Sequence, residues 1–167
     1  MIDFNKISDL KAADFVGFET VQHLRETHLH SVPMLAGVYM VLASPPSRPQ
    51  FLTKSVGGHF KGQDPTVSIA ELRTNWVEGA IVLNIGKAGG SGSSATLRSR
   101  INQYLQFGAG KPVGHRGGRY IWQLNGYDAL RLCWKPTIDQ EPREVERGLI
   151  SAFREQYGKR PFANLQD

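Results

Sequence analysis

Apolar and polar positions along the chain divide it into short strand-like runs and longer helix-like stretches. Gly37–Leu42 is β-branched and aromatic, which predicts a strand, and residues 50–56 are compatible with a second short one. Residues 80–86 form an almost continuous apolar run, which favours a central strand buried on both faces. Residues 120–124 and 129–134 predict two more strands.

Helical spacing accounts for most of the remaining apolar positions. Residues 5–30 and 67–76 are predicted to be mostly helical, and residues 95–106 carry one apolar stripe. Pro142 is suited to begin the last helix and Gly158 to end it. Helices and strands in this order predict a small α/β or α+β domain, in which helices flank a short mixed or antiparallel sheet.

Glycine, proline and serine mark the predicted loops. Residues 44–49 form one loop, residues 57–65 an exposed insertion, and residues 89–94 and 108–118 two glycine-rich loops. We divide the chain into a helical extension at residues 1–32 and a main domain at residues 33–167, with an insertion at about residues 43–79.

Two charged residues lie where apolar ones are expected. Glu146 falls inside the apolar stripe of the last helix, where a carboxylate is costly unless it is paired, protonated or bound to a metal. Arg100 borders the stripe of the earlier helix. The structural alternatives are a glutamate at the stripe edge that reaches solvent or pairs with an arginine, and an arginine whose stem covers apolar surface.

Composition narrows the class of protein. The 167 residues have 40% hydrophobic content, enough for a core, and a net charge of +5, which favours polyanionic partners. The single cysteine, Cys133, excludes a disulfide framework and is expected to be buried. Because no apolar run suits a signal peptide or a membrane span, we expect a cytoplasmic protein that does not enter membranes.

Five short motifs, taken in order, resemble the GIY-YIG nuclease superfamily from about residue 33 onwards. Each motif is unspecific alone, but together and on the expected elements they are more specific. They are Gly37-Val38-Tyr39, Asn84-Ile85-Gly86-Lys87, Leu97-Arg98-Ser99-Arg100-Ile101, Glu146-Arg147-Gly148-Leu149-Ile150 and Pro161-Phe162-Ala163-Asn164.

The resemblance implies a metal-dependent endonuclease that cleaves DNA. Glu146 would bind Mg²⁺ or Mn²⁺, Arg100 would contact the phosphate, and Tyr39 would position or deprotonate water. Lys87 would supply the positive charge that such a phenol needs, and Asn164 would brace the site. The alternatives are a core tyrosine at position 39 and a turn asparagine at position 164.

The chain departs from the family pattern in two places. Asn84 stands where the family has its second signature tyrosine, and an amide lacks a phenol that can act as acid or base. In addition, residues 42–80 separate the two signature strands, which a short hairpin normally joins; this length suggests added recognition loops, as in restriction-enzyme members of the family.

Basic residues around the second glycine-rich loop are candidate nucleic-acid contacts. They are Arg98, Lys111, His115, Arg116 and Arg119, and the alternative for the loop at residues 111–119 is a solvated flexible segment. Three hypotheses follow: an active endonuclease, a nucleic-acid-binding module without catalysis, and a scaffold that binds a small molecule or a protein.

Overall fold

The fold is an antiparallel sheet between two layers of helices, as seen in a computed structural model that describes residues 1–44 and 48–166. The strands are β1 (Val16–Thr20), β2 (Gly37–Leu42), β3 (Val82–Ala88) and β4 (Arg131–Pro136). The α-helices are α1 (Ile7–Ala12), α2 (Val21–Glu26), α3 (Ile69–Asn75), α4 (Leu97–Gly108) and α5 (Pro142–Tyr157), with 3₁₀ segments at Phe60–Gly62, Arg116–Gln123 and Tyr127–Ala129. This α+β architecture confirms the predicted fold class.

Strand β2 is the centre of the sheet and separates two hydrophobic cores. The strand order is β1-β4-β2-β3, with neighbouring strands antiparallel, so that β2 pairs on both sides. Tyr39 and Val41 point into the core under α4, whereas Val38 and Met40 point into the core under α5. Alternation of side chains along a strand requires this division.

The edge position of β3 corrects one prediction. The run at residues 80–86 was expected to be a central strand, and it is buried on both faces, but its outer edge has no strand neighbour among the described residues. The C-terminal tail covers that edge instead, because Ala163 N donates to Leu83 O over 2.7 Å. The continuous apolar run therefore reflects a strand covered by helices on both faces and by the tail along its edge, and not a central position in the sheet.

Three other element predictions are wrong in part. Residues 5–30 contain α1 and α2 as expected, but residues 16–20 form β1, in which Gly17 and Phe18 have positive φ angles of 98° and 56° that no α-helix accommodates. Residues 120–124 belong largely to the 3₁₀ segment Arg116–Gln123, and residues 50–56 contribute one isolated bridge, Phe51 to Leu124. Short apolar runs do not distinguish these structures.

Helix α5 and the loops follow the sequence closely. Pro142 occupies the first turn of α5, and Gly158 ends it in the left-handed conformation. Residues 45–47, in the loop predicted at residues 44–49, lie outside the described part of the chain. Within the described residues, no helix is long and apolar enough to cross a lipid bilayer.

The insertion at residues 43–79 is joined to the 3₁₀ segment Arg116–Gln123 by the buried side-chain amide of Gln123. Gln123 is fully buried, and its Nε2 donates to Leu52 O and Val67 O while its Oε1 accepts from Val67 N. Arg116 Nη1 also donates to the carbonyls of Gln63 and Asp64. The insertion is therefore a structured backing for the segment that follows α4.

We expect Gln123→Ala to lower the free energy of unfolding by about 2–4 kcal/mol, because the partly buried backbone groups of Leu52 and Val67 would lose three hydrogen bonds to this side chain. Urea denaturation would measure this loss. The control is Gln22→Ala, at an exposed glutamine whose side chain bonds Glu26, where we expect a change within about 0.5 kcal/mol. Equal losses in both variants would contradict the assigned role.

Candidate active site

A cleft of about 760 Å³ lies where the α4 and α5 layers meet around the outer edge of β3. Its walls come from β2, β3, α4, α5, the glycine-rich segment after α4 and the C-terminal tail. All six residues predicted as catalytic line it: Tyr39, Asn84, Lys87, Arg100, Glu146 and Asn164. His115, Arg116 and Arg119, from the predicted nucleic-acid-binding set, line it as well.

Tyr39 lies over a strand residue that cannot have a side chain. It pairs in register with Gly86, and a Cβ added at Gly86 would lie 2.5 Å from the Tyr39 hydroxyl oxygen. The tyrosine–glycine pair across β2 and β3 is therefore a steric requirement of the cleft floor. Tyr39 is 2% exposed, and burial raises its pKa well above the ordinary value, with Arg100 opposing that shift.

His115 caps the phenol of Tyr39. Its Nε2 lies 3.2 Å from the Tyr39 hydroxyl oxygen, and its ring packs edge-on against Tyr104, with 4.2 Å between centroids. Burial, and then the charge of Arg100, lowers the pKa of His115 to about 3, so the imidazole is neutral at physiological pH. Its Nδ1 is buried without a hydrogen-bond partner among the described residues.

Arg100 is the cation that most affects the pKa values of Tyr39 and His115. Its Nη1 donates to Gln103 Oε1 over 2.7 Å and to Gly114 O over 3.4 Å, which ties α4 to the glycine-rich segment. Arg100, rather than the predicted Lys87, supplies the charge that opposes the rise in the pKa of Tyr39. Lys87 is instead the foremost cation acting on Glu146.

Glu146 is a half-buried carboxylate with no hydrogen bond or ion pair to another described residue. Burial raises its pKa, and Lys87, Arg143, Arg100 and Arg147 oppose that rise. The pairing alternative from the sequence is thus absent at hydrogen-bonding range. A carboxylate held among cations, without direct contact, is available to a ligand in the cleft.

The two asparagines make different contacts. Asn164 Oδ1 accepts from Ile85 N and its Nδ2 donates to Ile85 O, each over 2.9 Å, so its amide takes the place of a strand neighbour. Asn84 is 6% exposed, and its Nδ2 donates to the Tyr104 hydroxyl over 3.0 Å. Asn164 therefore braces β3, and Asn84 holds a phenol that projects from α4.

Arg116 and Arg119 add two guanidinium groups to the wall of the cleft. Arg119 Nη1 donates to Arg116 O over 3.3 Å, whereas its Nε is buried with no partner among the described residues. Burial and then the charge of Arg116 lower the pKa of Arg119. Two neighbouring guanidinium groups with incomplete hydrogen bonding are suited to bind an anion.

Arg98 and Lys111 lie outside this cleft. Both line a groove of about 540 Å³ on the other side of α4. Arg98 Nε donates to Val32 O over 2.7 Å, and its Nη2 donates to His30 O over 3.2 Å. Arg98 therefore fixes the segment between α2 and β2.

The donor set of the cleft suits a hydrated Mg²⁺ shared with a substrate phosphate. Glu146 is its one carboxylate, and among the described residues no three His, Cys, Asp or Glu side chains gather to hold a metal. Mg²⁺ commonly binds through one or two carboxylates plus substrate phosphates and keeps several waters. The surrounding cations favour the ionised form of Glu146, which is the form that binds a metal.

Sequence reasoning missed Tyr104 and Arg143. Tyr104 was assigned to the apolar stripe, but its ring lies 6.0 Å from that of Tyr39 and its hydroxyl accepts from Asn84. Its position four residues after Arg100 places both on one face of α4, a usable signal. Arg143 lies one turn before Glu146 on α5 and is among the cations that oppose the rise in the pKa of Glu146.

The lowered pKa of His115 makes the stability of the folded protein depend on pH. Because its pKa in the folded protein is about 3, against an ordinary 6.5, the unfolded chain binds a proton below pH 6.5 that the folded chain does not. The free energy of unfolding therefore falls as the pH drops from 6.5 towards 3. Between pH 7 and pH 5, His115→Gln should remove about 2 kcal/mol of that fall in urea denaturation.

The control for this measurement is His59→Gln, which changes an exposed histidine in the insertion. An identical fall in the unsubstituted protein and in His115→Gln would contradict a buried, neutral His115.

Comparisons of the chain with models of protein families, with curated proteins and with solved structures each gave no match. The function of the protein is therefore inferred from the geometry of the cleft.

Proposed function

We propose that the protein is a metal-dependent endonuclease that hydrolyses phosphodiester bonds in DNA, with a site of the GIY-YIG type. The observation that carries the proposal is the charge of the cleft. Lys87, Arg100, Arg116 and Arg119 line it together with a single carboxylate, Glu146, among the described residues. Such a surface favours a polyanion and still offers one metal ligand.

Arg100 is the residue proposed to bind the scissile phosphate. Arg100 is a partly buried residue that lines the cleft, and its charge acts on both Tyr39 and Glu146. A planar guanidinium forms two parallel hydrogen bonds with phosphate oxygens, which lysine cannot do. Arg119 and Arg116 would neutralise the remaining phosphate charge from elsewhere in the cleft wall.

Tyr39 is proposed to position the attacking water rather than to act as a phenolate. Its raised pKa keeps the phenol neutral near pH 7, and a bound phosphate would raise that pKa further. His115 is neutral, and its Nε2 lies at hydrogen-bonding distance from the phenol. As the water oxygen bonds to phosphorus and the bond between phosphorus and the leaving oxygen breaks, the Tyr39 hydroxyl donates to His115 Nε2 and accepts a hydrogen bond from the water, and the proton that the water loses is taken up by the leaving oxygen.

Glu146 is the proposed ligand for Mg²⁺ or Mn²⁺. When bound, the ion would polarise the phosphate and supply positive charge at the leaving oxygen. Asn164 keeps β3 in place beside the cleft, and the charge of Lys87 opposes the rise in the pKa of Glu146.

The second candidate function is nucleic-acid binding without cleavage. This function is favoured by the presence of Asn84 in the cleft, because its amide is neither an acid nor a base and already donates a hydrogen bond to the Tyr104 hydroxyl. This function predicts salt-sensitive binding of nucleic acid with no hydrolysis.

Cleavage assays on plasmid DNA and on labelled DNA and RNA oligonucleotides, with Mg²⁺ or Mn²⁺, would test the proposal. We expect Glu146→Gln and Arg100→Gln each to lower the cleavage rate at least about 100-fold, because each removes a charge that acts on the transition state. EDTA should abolish cleavage of DNA.

The matched control is Glu155→Gln, at an exposed glutamate on the same helix, which should cleave at the unsubstituted rate. Cleavage that persists in Glu146→Gln would contradict the proposed metal site. Binding without any cleavage would instead support the second function, and Asn84→Tyr would then show whether a restored phenol returns activity.

A further inference from the structure

Two segments from distant parts of the sequence lie side by side; they meet the cleft at His115 and Arg116 and extend from there to Lys111, which borders the groove on the other side of α4. Residues 58–64 belong to the insertion, and residues 111–116 follow α4; we call them together the ribbon. Gly58 approaches Lys111 so closely that an added Cβ would lie 1.9 Å from Lys111 O. Gly58 N also donates to Phe107 O over 2.9 Å. A side chain at position 58 would therefore separate the two segments.

Further contacts align the two segments in the same direction. The Phe60 ring lies 3.6 Å from where a Cβ on Gly114 would stand. Arg116 Nη1 donates to Gln63 O over 3.4 Å and to Asp64 O over 3.2 Å. Position 58 thus lies by 111, position 60 by 114, and positions 63 and 64 by 116.

The ribbon continues directly from the cleft. Arg100, which lines the cleft, donates to Gly114 O and to the Gln103 side chain, and Gly114 lies beside Phe60. Arg116 lines the cleft and holds the insertion at once. A polymer whose phosphate lies at Arg100 would therefore pass over Gly114 towards Phe60.

The exposed charged side chains of the ribbon are mostly positive. Lys61 and Lys111 are exposed, and neither forms an ion pair or a hydrogen bond through its side chain with a described residue. Asp64 is the one acidic residue in the two segments; its carboxylate accepts from Thr66 N over 2.9 Å and lies 3.9 Å from His59. The ribbon therefore offers cations to an anionic polymer.

Phe60 adds a flat surface beside these cations. The ring is partly buried, and the Lys61 ammonium lies 5.4 Å from its centroid. Lys61 has φ 53°, in the left-handed region that side chains other than glycine and asparagine rarely adopt. Backbone outliers of this kind cluster at ligand clamps and active sites, and here the strained residue sets a cation beside an aromatic ring.

We propose that the ribbon binds an unpaired stretch of nucleic acid beside the phosphate held in the cleft, an inference that rests on the proposed function. Phe60 stacks on one base, and Lys61 and Lys111 contact phosphates. Stacking on an aromatic side chain requires a base whose face is free, so the substrate has a single-stranded flank or an end. Blunt duplex DNA lacks such a base.

Fluorescence anisotropy in EDTA, with a labelled single-stranded 20-mer and a blunt duplex over a range of NaCl concentrations, tests the ribbon without cleavage. The double variant Lys61→Asn, Lys111→Gln should lower the slope of log K against log[NaCl] by about 1.4, because each lysine that binds a phosphate of a single strand adds roughly 0.7 to that slope. Phe60→Leu keeps an apolar side chain and should weaken single-strand binding roughly tenfold while leaving the slope unchanged.

Lys11→Gln is the control, because Lys11 lies on α1, whose Leu10 packs in the core on the opposite side of the sheet. It should change neither the slope nor the affinity. Circular dichroism would establish that each variant is folded, and if Phe60→Leu is not, the lysine pair decides the outcome.

The outcomes separate the ribbon from the proposed hydrolysis. Unchanged affinity and slope in both ribbon variants, or equal affinity of the unsubstituted protein for single strand and blunt duplex, would overturn the ribbon while leaving cleavage at Glu146 intact. Loss of binding in the ribbon variants, together with cleavage that persists in Glu146→Gln, would support the ribbon and overturn the proposed metal site.

Discussion

Two hydrogen bonds from one side-chain amide determine where the cleft lies. Asn164 pairs with both backbone groups of Ile85, so that an amide stands where another strand would continue the sheet. A free strand edge is a row of unpaired donors and acceptors, and proteins normally cover it. Here the tail covers the edge at Leu83 and Ile85, and Gly86, Lys87 and Ala88 are left to line the cleft. The helix layers on both faces meet at this uncovered end.

Position at a strand edge explains how residues from both layers share one cleft. Tyr39 and Arg100 belong to the α4 side of the sheet, and Glu146 belongs to the α5 side. Side chains on opposite faces of a central strand would be separated by the sheet. Around the end of an edge strand they face a common space, and all three line the cleft there.

The electrostatics of the cleft follow from unequal desolvation of its groups. Burial favours the neutral forms of Tyr39 and His115, so the deep part of the cleft is uncharged but polar. Glu146 is only half-buried and is surrounded by cations that favour its ionised form. The charged rim and neutral floor suit an anion whose reacting atom must reach a water at the floor, as in the proposed hydrolysis.

The sequence predicted the parts of this structure that are set by local pattern. Helix α5 has a proline at its start and a glycine after its end, and β2 is rich in β-branched and aromatic residues; both elements appear where the pattern placed them. The convergence of Glu146 and Arg100 in one cleft was an expectation from motif order. The edge position of β3 was not predictable, because apolar periodicity reports burial and does not report which neighbour causes it. Nor was the burial of His115, whose ring lies against Tyr104 and against Tyr39 from a strand that is distant in sequence.

The structure changes the interpretation of Asn84. As a replacement for a signature tyrosine, it suggested a site that lacks a phenol. The Tyr104 hydroxyl is nevertheless 3.0 Å from Asn84 Nδ2, and the Tyr104 ring packs edge-on against Tyr39. A phenol is thus present next to Asn84, supplied by α4, but it is buried in the core behind the cleft and does not line it. Because burial raises the pKa of Tyr104 well above the ordinary value, that phenol is a neutral donor and not a base. The pair Asn84–Tyr104 therefore orders the surroundings of Tyr39, together with His115, the neutral imidazole that contacts both tyrosines.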